Sequence, residues 1–123
     1  ITCVLPVIKK GGTIILAAEC SEGVGSQSFY ELCKDYTDLE KFIKDIYDGV
    51  FKHDQWQLQK FVTAAKHAKI ILVSENLSDK VADSIHVKTA PSVEDALKSL
   101  LEENPNLKVT VVPKGPFIIP QLA

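Results

Sequence analysis

Hydrophobic positions along the chain switch between two kinds of spacing. Thr13-Ile-Ile-Leu-Ala-Ala18 and Lys69-Ile-Ile-Leu-Val-Ser74 are continuous apolar runs bounded by glycine, charge or polar residues. That is the pattern of strands covered on both faces, and hence of a parallel sheet. Between them, Leu39, Phe42, Ile43 and Ile46 recur at three, four and seven, which puts one apolar stripe on a helix from Asp38 to Tyr47. Asp38 stands at its N-cap and Gly49 ends it. Asp54 caps a second long helix, Gln55 to His67, with Trp56, Phe61, Ala64 and Ala65 on or near its apolar stripe. Phe29 to Lys34 reads as helical with Ser28 as its cap, and Ser78 caps a short helix through Ala82. The clearest helix runs from Pro91 to Leu101: Ser92 with Asp95 three residues on approximates a capping box, and Asn104-Pro105 stops it. Ile85 to Lys88 and Lys108 to Val112 are the remaining strands, and Phe117-Ile118-Ile119 adds an edge strand. Val4, Leu5, Val7 and Ile8 form the end of a further helix, stopped by Gly11-Gly12.

The resulting order is α–β–α–α–α–β–α–β–α–β. Strands alternating with helices imply right-handed crossovers and an α/β fold: a three-layer, Rossmann-like, mainly parallel sheet with helices on both faces. Ligands of such sheets sit beyond the carboxyl ends of the strands. Those ends are expected at the Cys20–Ser26 loop, at Ser74–Leu77 and at the Pro113–Gly115 turn.

Composition narrows the function classes. The 123 residues are 46% hydrophobic and 24% charged, which fits one globular α/β domain over residues 1–123 with a core of its own. The net charge of -2 gives no footprint for a phosphate backbone, and all 14 cations are lysines. Nucleic-acid binding is therefore disfavoured, and the bidentate arginine fork for carboxylates and phosphates is missing. Cys3, Cys20 and Cys33 are odd in number and lack CxxC spacing, so neither a disulfide framework nor a zinc site follows. Reduced thiols point to the cytoplasm. Ile1 to Ile8 is too short for a membrane span and lacks a signal-peptide cleavage pattern. A chain that starts with Ile1 and holds no methionine reads as a piece of a longer polypeptide.

Two places could carry chemistry. The first is the loop Ser21-Glu22-Gly23-Val24-Gly25, which follows a strand and precedes a helix. Paired glycines there let backbone approach a ligand, and the helix start offers free N–H groups to an anion. The GxGxxG pattern is incomplete, because Ser28 holds the third position, and Glu19 and Glu22 would repel a pyrophosphate. A plain tight turn and a loop facing a partner domain or substrate both remain open. The second place is His53-Asp54-Gln55-Trp56-Gln57. His53 and Asp54 are adjacent and make no helical metal pair. Trp56 either anchors its helix to the sheet or presents a flat face and an N–H to a small ligand. His67 suits a helix C-terminus, His86 reads as packing or surface, and Cys20 beside two glutamates is a poor nucleophile. Cys3 and Cys33 read as core residues.

The run Gly11-Gly-Thr-Ile-Ile-Leu-Ala-Ala-Glu-Cys-Ser-Glu-Gly-Val-Gly25, with Phe29-Tyr30-Glu31 after it, resembles the C-terminal domain of the nickel-dependent lactate racemase family. Asp54-Gln-Trp-Gln-Leu-Gln59, Lys69-Ile-Ile-Leu-Val-Ser-Glu75, Ser92-Val-Glu-Asp-Ala-Leu97 and Val109-Thr-Val-Val-Pro113 agree in order and spacing, so the resemblance covers nearly the whole chain. It implies a domain of a 2-hydroxy acid racemase or epimerase that uses a nickel-pincer nucleotide and moves a hydride from the substrate α-carbon and back onto its opposite face. It also implies that the cofactor-bearing lysine, the nickel ligand, the general acid/base histidines and a carboxylate-binding arginine belong to an N-terminal domain. A substrate-side tryptophan of the family matches Trp56, and the Ser21–Gly25 loop would face the interdomain cleft. On this reading the partners are that N-terminal domain and a small 2-hydroxy acid. This piece holds no cofactor or metal and is inactive alone. The alternative is a free-standing Rossmann-like module that binds a nucleotide or a protein.

Overall fold

Two parallel pairings build the sheet. The computed structural model describes residues 1–121. In it β1 (Thr13–Ala17) pairs with β2 (Lys69–Val73), Ile14 opposite Ile70 and Leu16 opposite Leu72, and β2 pairs with the two-residue β3 (Lys88–Thr89). The strand order is β1-β2-β3. The connection from β1 to β2 carries α1 (Gln27–Asp35), α2 (Leu39–Tyr47) and α3 (Gln55–His67); α4 (Asp79–Ser84) joins β2 to β3, and α5 (Val93–Glu103) follows β3. Both crossovers that advance the sheet place their helices on one face, where α1 touches α3 and α4. The chain then reverses, and α5 returns across the other face to reach β1. The result is the three-layered α/β arrangement expected from the strand–helix alternation.

The core lies almost wholly on the first face. Alternate residues of a strand point to opposite sides, so Leu16, Ile70 and Leu72 meet Leu32 and Cys33 of α1, Phe42 of α2, and Leu58 and Val62 of α3. Ile15, Ile71 and Val73 face the thinner α5 side and are only partly buried. Caps account for the helix starts. Asp38 accepts from the backbone N–H groups of Glu40 and Lys41; Ser78 accepts from that of Val81. Ser92 accepts from the Asp95 N–H and donates its hydroxyl to the same residue's carboxylate, a compact variant of the capping box.

Four local expectations are corrected. The segment before Gly11 is a 3-10 turn, Thr2–Val4, rather than the end of an α-helix; Pro6 removes an N–H and restricts Leu5. The cap of α1 is Ser26, not Ser28, because Gly25 at φ +81° turns the chain two residues earlier. Most of Ile85–Lys88 is not strand. It closes α4 in a Schellman pattern, with Val87 N–H bonded to Ala82 C=O and His86 N–H to Asp83 C=O. His86 occupies the left-handed position at φ +61°, where glycine is usual, and its ring bonds the Cys33 carbonyl at 3.2 Å. Finally, Lys108–Val112 and Phe117–Ile119 form no strand; Gly115–Phe117 is a short 3-10 turn. Valine-rich sequence favours extended backbone, but a ladder needs a partner edge, and Val111 stands 81% exposed.

Gly11 and Gly12 differ in what they require. Gly11 sits at φ +79° in open space, whereas a Cβ on Gly12 would lie 2.9 Å from both the Lys9 carbonyl and Ile8 Cγ1. Gly12→Ala must therefore move backbone and is expected to cost about 1–3 kcal/mol. Urea unfolding would read this as a lower midpoint at unchanged m-value.

Candidate functional site at the carboxyl rim of the sheet

In a parallel sheet every strand ends at the same edge. Helices that follow those strands start there, so the first turns of α1, α4 and α5 line one rim. The N-terminus of α3 joins them, because α3 runs back antiparallel to β2 before entering it. The rim is thus ringed by free N–H groups and the positive ends of helix dipoles.

One part of the rim is an open cleft of about 580 Å³ between the ends of β1 and β2, bordered by Ala18, Glu19, Ser74, Asn76, Ser92 and Glu94 among others. The Glu19 carbonyl accepts from Ser74 Oγ at 3.0 Å and from Asn76 Nδ2 at 2.7 Å, which locks the two strand ends together. Glu19, Glu75 and Glu94 border this cleft and no lysine does. It offers no charge to hold a carboxylate or a phosphate. The Ser74–Leu77 end expected from the sequence does take part in the rim.

The other part joins the two places singled out in the sequence. Ser21, Glu22, Gly23 and Gly25 lie exposed on two successive turns, closed by Gly23 N–H to Cys20 C=O at 2.8 Å and Gly25 N–H to Glu22 C=O at 3.3 Å. Gly23 needs its glycine for φ +65°; nothing lies within 4 Å of where its Cβ would be. At the end of this loop, Ser26 Oγ donates to Asp54 Oδ2 at 2.8 Å while accepting from the Phe29 N–H at 3.2 Å. Asp54 immediately precedes α3, and Trp56 is the second residue of that helix. The structure therefore brings the glycine loop and the tryptophan helix together through a bond between residues 28 apart. Sequence reading missed this tie, since Ser26 read as the end of the glycine loop and Asp54 as a local cap.

Trp56 is 62% exposed. It does not anchor its helix to the sheet; Leu58 and Val62 perform that task. Tyr47, the last residue of α2, and Phe51, on the connection into α3, are exposed as well. His53 is exposed beside Asp54, with 3.9 Å between Nε2 and Oδ1. The remaining candidates are structural. His67 Nε2 bonds the Ile8 carbonyl at 3.0 Å, and His86 is committed to α4. Burial pushes the Cys33 thiol up to about 12, which leaves it protonated and inert at neutral pH. Cys3 is only partly buried.

The sequence matches the family described as lactate racemase C-terminal domain over residues 1–119. The chain belongs to that family. It is 30% identical over 115 residues to the lactate racemase of Lactiplantibacillus plantarum, covering 90% of this chain and 27% of that protein. It is likewise 30% identical over 117 residues to the lactate racemase of Thermoanaerobacterium thermosaccharolyticum, with the same coverage. The structure of the lactate racemase apoprotein from the latter organism superposes with a TM-score of 0.72 at 28% identity, over 85% of this chain and 26% of that one. The chain thus spans about a quarter of the length of these relatives. Membership in the racemase-domain family disfavours the free-standing binding module. Among the described residues no group of three or more His, Cys, Asp or Glu side chains could hold a metal ion. No helix among the described residues is long and apolar enough to cross a membrane.

Proposed function

We propose that this domain forms one wall of the active-site cleft in a 2-hydroxy acid racemase or epimerase, and that its carboxyl rim faces the reacting centre. The observation that carries the reading is the position of Trp56. In a racemase-family domain, a large aromatic side chain stands out from the rim where α/β sheets take their ligands. Exposing an indole is unfavourable unless something covers it, and a small 2-hydroxy acid in a closing cleft would do so.

Racemisation needs the α-hydrogen to leave one face of the carbon and return to the other. The contribution of this chain is to shape and dry the space around that carbon. Trp56 offers a flat apolar wall and one N–H donor. The Ser21–Gly25 loop closes the adjoining edge, and together the two would keep water away from the reacting carbon. Neither the acidic cleft nor the lysine-only cation set suits a substrate carboxylate. We therefore assign carboxylate binding, acid/base catalysis and the nickel-pincer nucleotide to an N-terminal domain of the same polypeptide. On this division of labour the 123-residue chain alone is inactive. A cytoplasmic enzyme accords with three free thiols.

The test is to express the full-length polypeptide with nickel and the cofactor-making enzymes and to follow single enantiomers of lactate by chiral chromatography. Conversion of either enantiomer to an equal mixture supports the reading. No isomerisation of lactate or of other short 2-hydroxy acids would refute it.

A further inference from the structure

We infer that Asp54 is a positioning residue, whose carboxylate latches the glycine loop to the first turn of α3 and so fixes Trp56 relative to Ser21–Gly25. This rests on the reading of the rim as a cleft wall.

The argument comes from how Asp54 is used. An aspartate before a helix normally turns its side chain onto the N–H groups of its own first turn, as Asp38 does in this molecule. Asp54 makes no such bond. Its backbone also sits at φ +57°, in the left-handed region that a residue with a side chain rarely adopts. Both features are unfavourable locally. Both direct the carboxylate toward Ser26, 28 positions away, and the bond is short at 2.8 Å. Ser26 is committed in turn, because the same hydroxyl accepts the Phe29 N–H and starts α1. A chain of bonds thus runs from the start of α1 through Ser26 to the start of α3. The first turn of α3 is held from its other side, where Gln55 Oε1 accepts the Lys52 N–H at 2.7 Å and the Gln55 N–H bonds the Lys52 carbonyl. Among the described residues, the one further polar contact of the Asp54 carboxylate is the well exposed His53, at 3.9 Å. Strained backbone that persists is held by its surroundings, and it concentrates where geometry matters for function. Here it lies two residues from Trp56.

Three substitutions separate a latch from ordinary structural support. Asp54→Asn keeps an acceptor for Ser26, Asp54→Ala removes it, and Asp54→Gly removes it while relieving the left-handed backbone. Trp56 is the only tryptophan of the chain, so its indole N–H gives a single nitrogen–proton resonance that reports its surroundings. We expect Asp54→Ala and Asp54→Gly to move that resonance and to speed amide exchange at residues 22–26 about tenfold, roughly 1.4 kcal/mol of lost local protection. Asp54→Asn should stay within about twofold of the parent on the same local-opening scale. In the full-length racemase, kcat/KM should fall about tenfold for the Ala and Gly variants and be rescued by Asn, on the usual conversion of rate to barrier height. An Asp54→Gly protein with parental exchange and an unmoved indole would overturn the latch, whatever the activity. A parent that racemises no hydroxy acid would instead overturn the reading of the cleft, leaving the exchange result to decide the latch.

Discussion

Truncating Phe42 to alanine is expected to lower the unfolding free energy by about 3–5 kcal/mol. Phe42 is 1% exposed and lies at the centre of the cluster that joins α1, α2 and α3 to the sheet. Its ring meets Tyr36 edge to face, with centroids 5.0 Å apart, and the Tyr36 hydroxyl donates to Asp45 of the same helix as Phe42. Removal would leave a cavity and deprive Tyr36 of its partner. Domains of this size hold only about 5–15 kcal/mol in total, and the opposite face of the sheet is too thinly covered to compensate. Thermal or urea unfolding followed by far-ultraviolet circular dichroism measures the loss. A change below about 1 kcal/mol would mean that the first face is not the principal core.

Trp56→Ala is expected to do the reverse: leave stability within about 0.5 kcal/mol of the parent, as exposed positions do, while lowering kcat/KM for lactate in the full-length enzyme about ten- to a hundredfold. The contrast follows from exposure. Phe42 is spent on the fold and Trp56 is not. Trp56→Phe should recover part of the activity, because a phenyl ring restores the flat wall and not the N–H donor. Unchanged kinetics in Trp56→Ala would remove the residue from the cleft.

Much of this fold could be read along the chain because its signals are local. The continuous apolar runs at Thr13–Ala17 and Lys69–Val73, the stripe of Leu39, Phe42, Ile43 and Ile46, and the caps Asp38, Ser78 and Ser92 each mark their element without reference to the rest of the molecule. The errors fell where distant partners decide. Lys-Val-Thr-Val-Val at 108–112 has strand composition, yet no strand edge pairs with it among the described residues, so it stays irregular. Ile85–Lys88 has strand composition too, but Ala82 and Asp83 carbonyls recruit its N–H groups to finish α4. The site divides in the same way. Glycine spacing and a lone tryptophan drew notice to the loop and to α3 separately. What joins them is a hydroxyl and a carboxylate from unrelated stretches, and nothing in the order of residues shows that Asp54 forgoes its own helix to bind Ser26.

On the proposed function, the rim bearing Trp56 and Ser21–Gly25 faces the rest of the enzyme across the reacting centre. Hydrogen–deuterium exchange, compared between the isolated domain and the full-length enzyme in the presence of lactate, tests it most directly. Amides of residues 21–26 and 54–57 are expected to exchange at least about tenfold more slowly in the full-length enzyme, with little change along the outer face of α5. Equal exchange at those residues in both proteins, with protection appearing on α5 instead, would place the cleft on another surface and remove Trp56 from it.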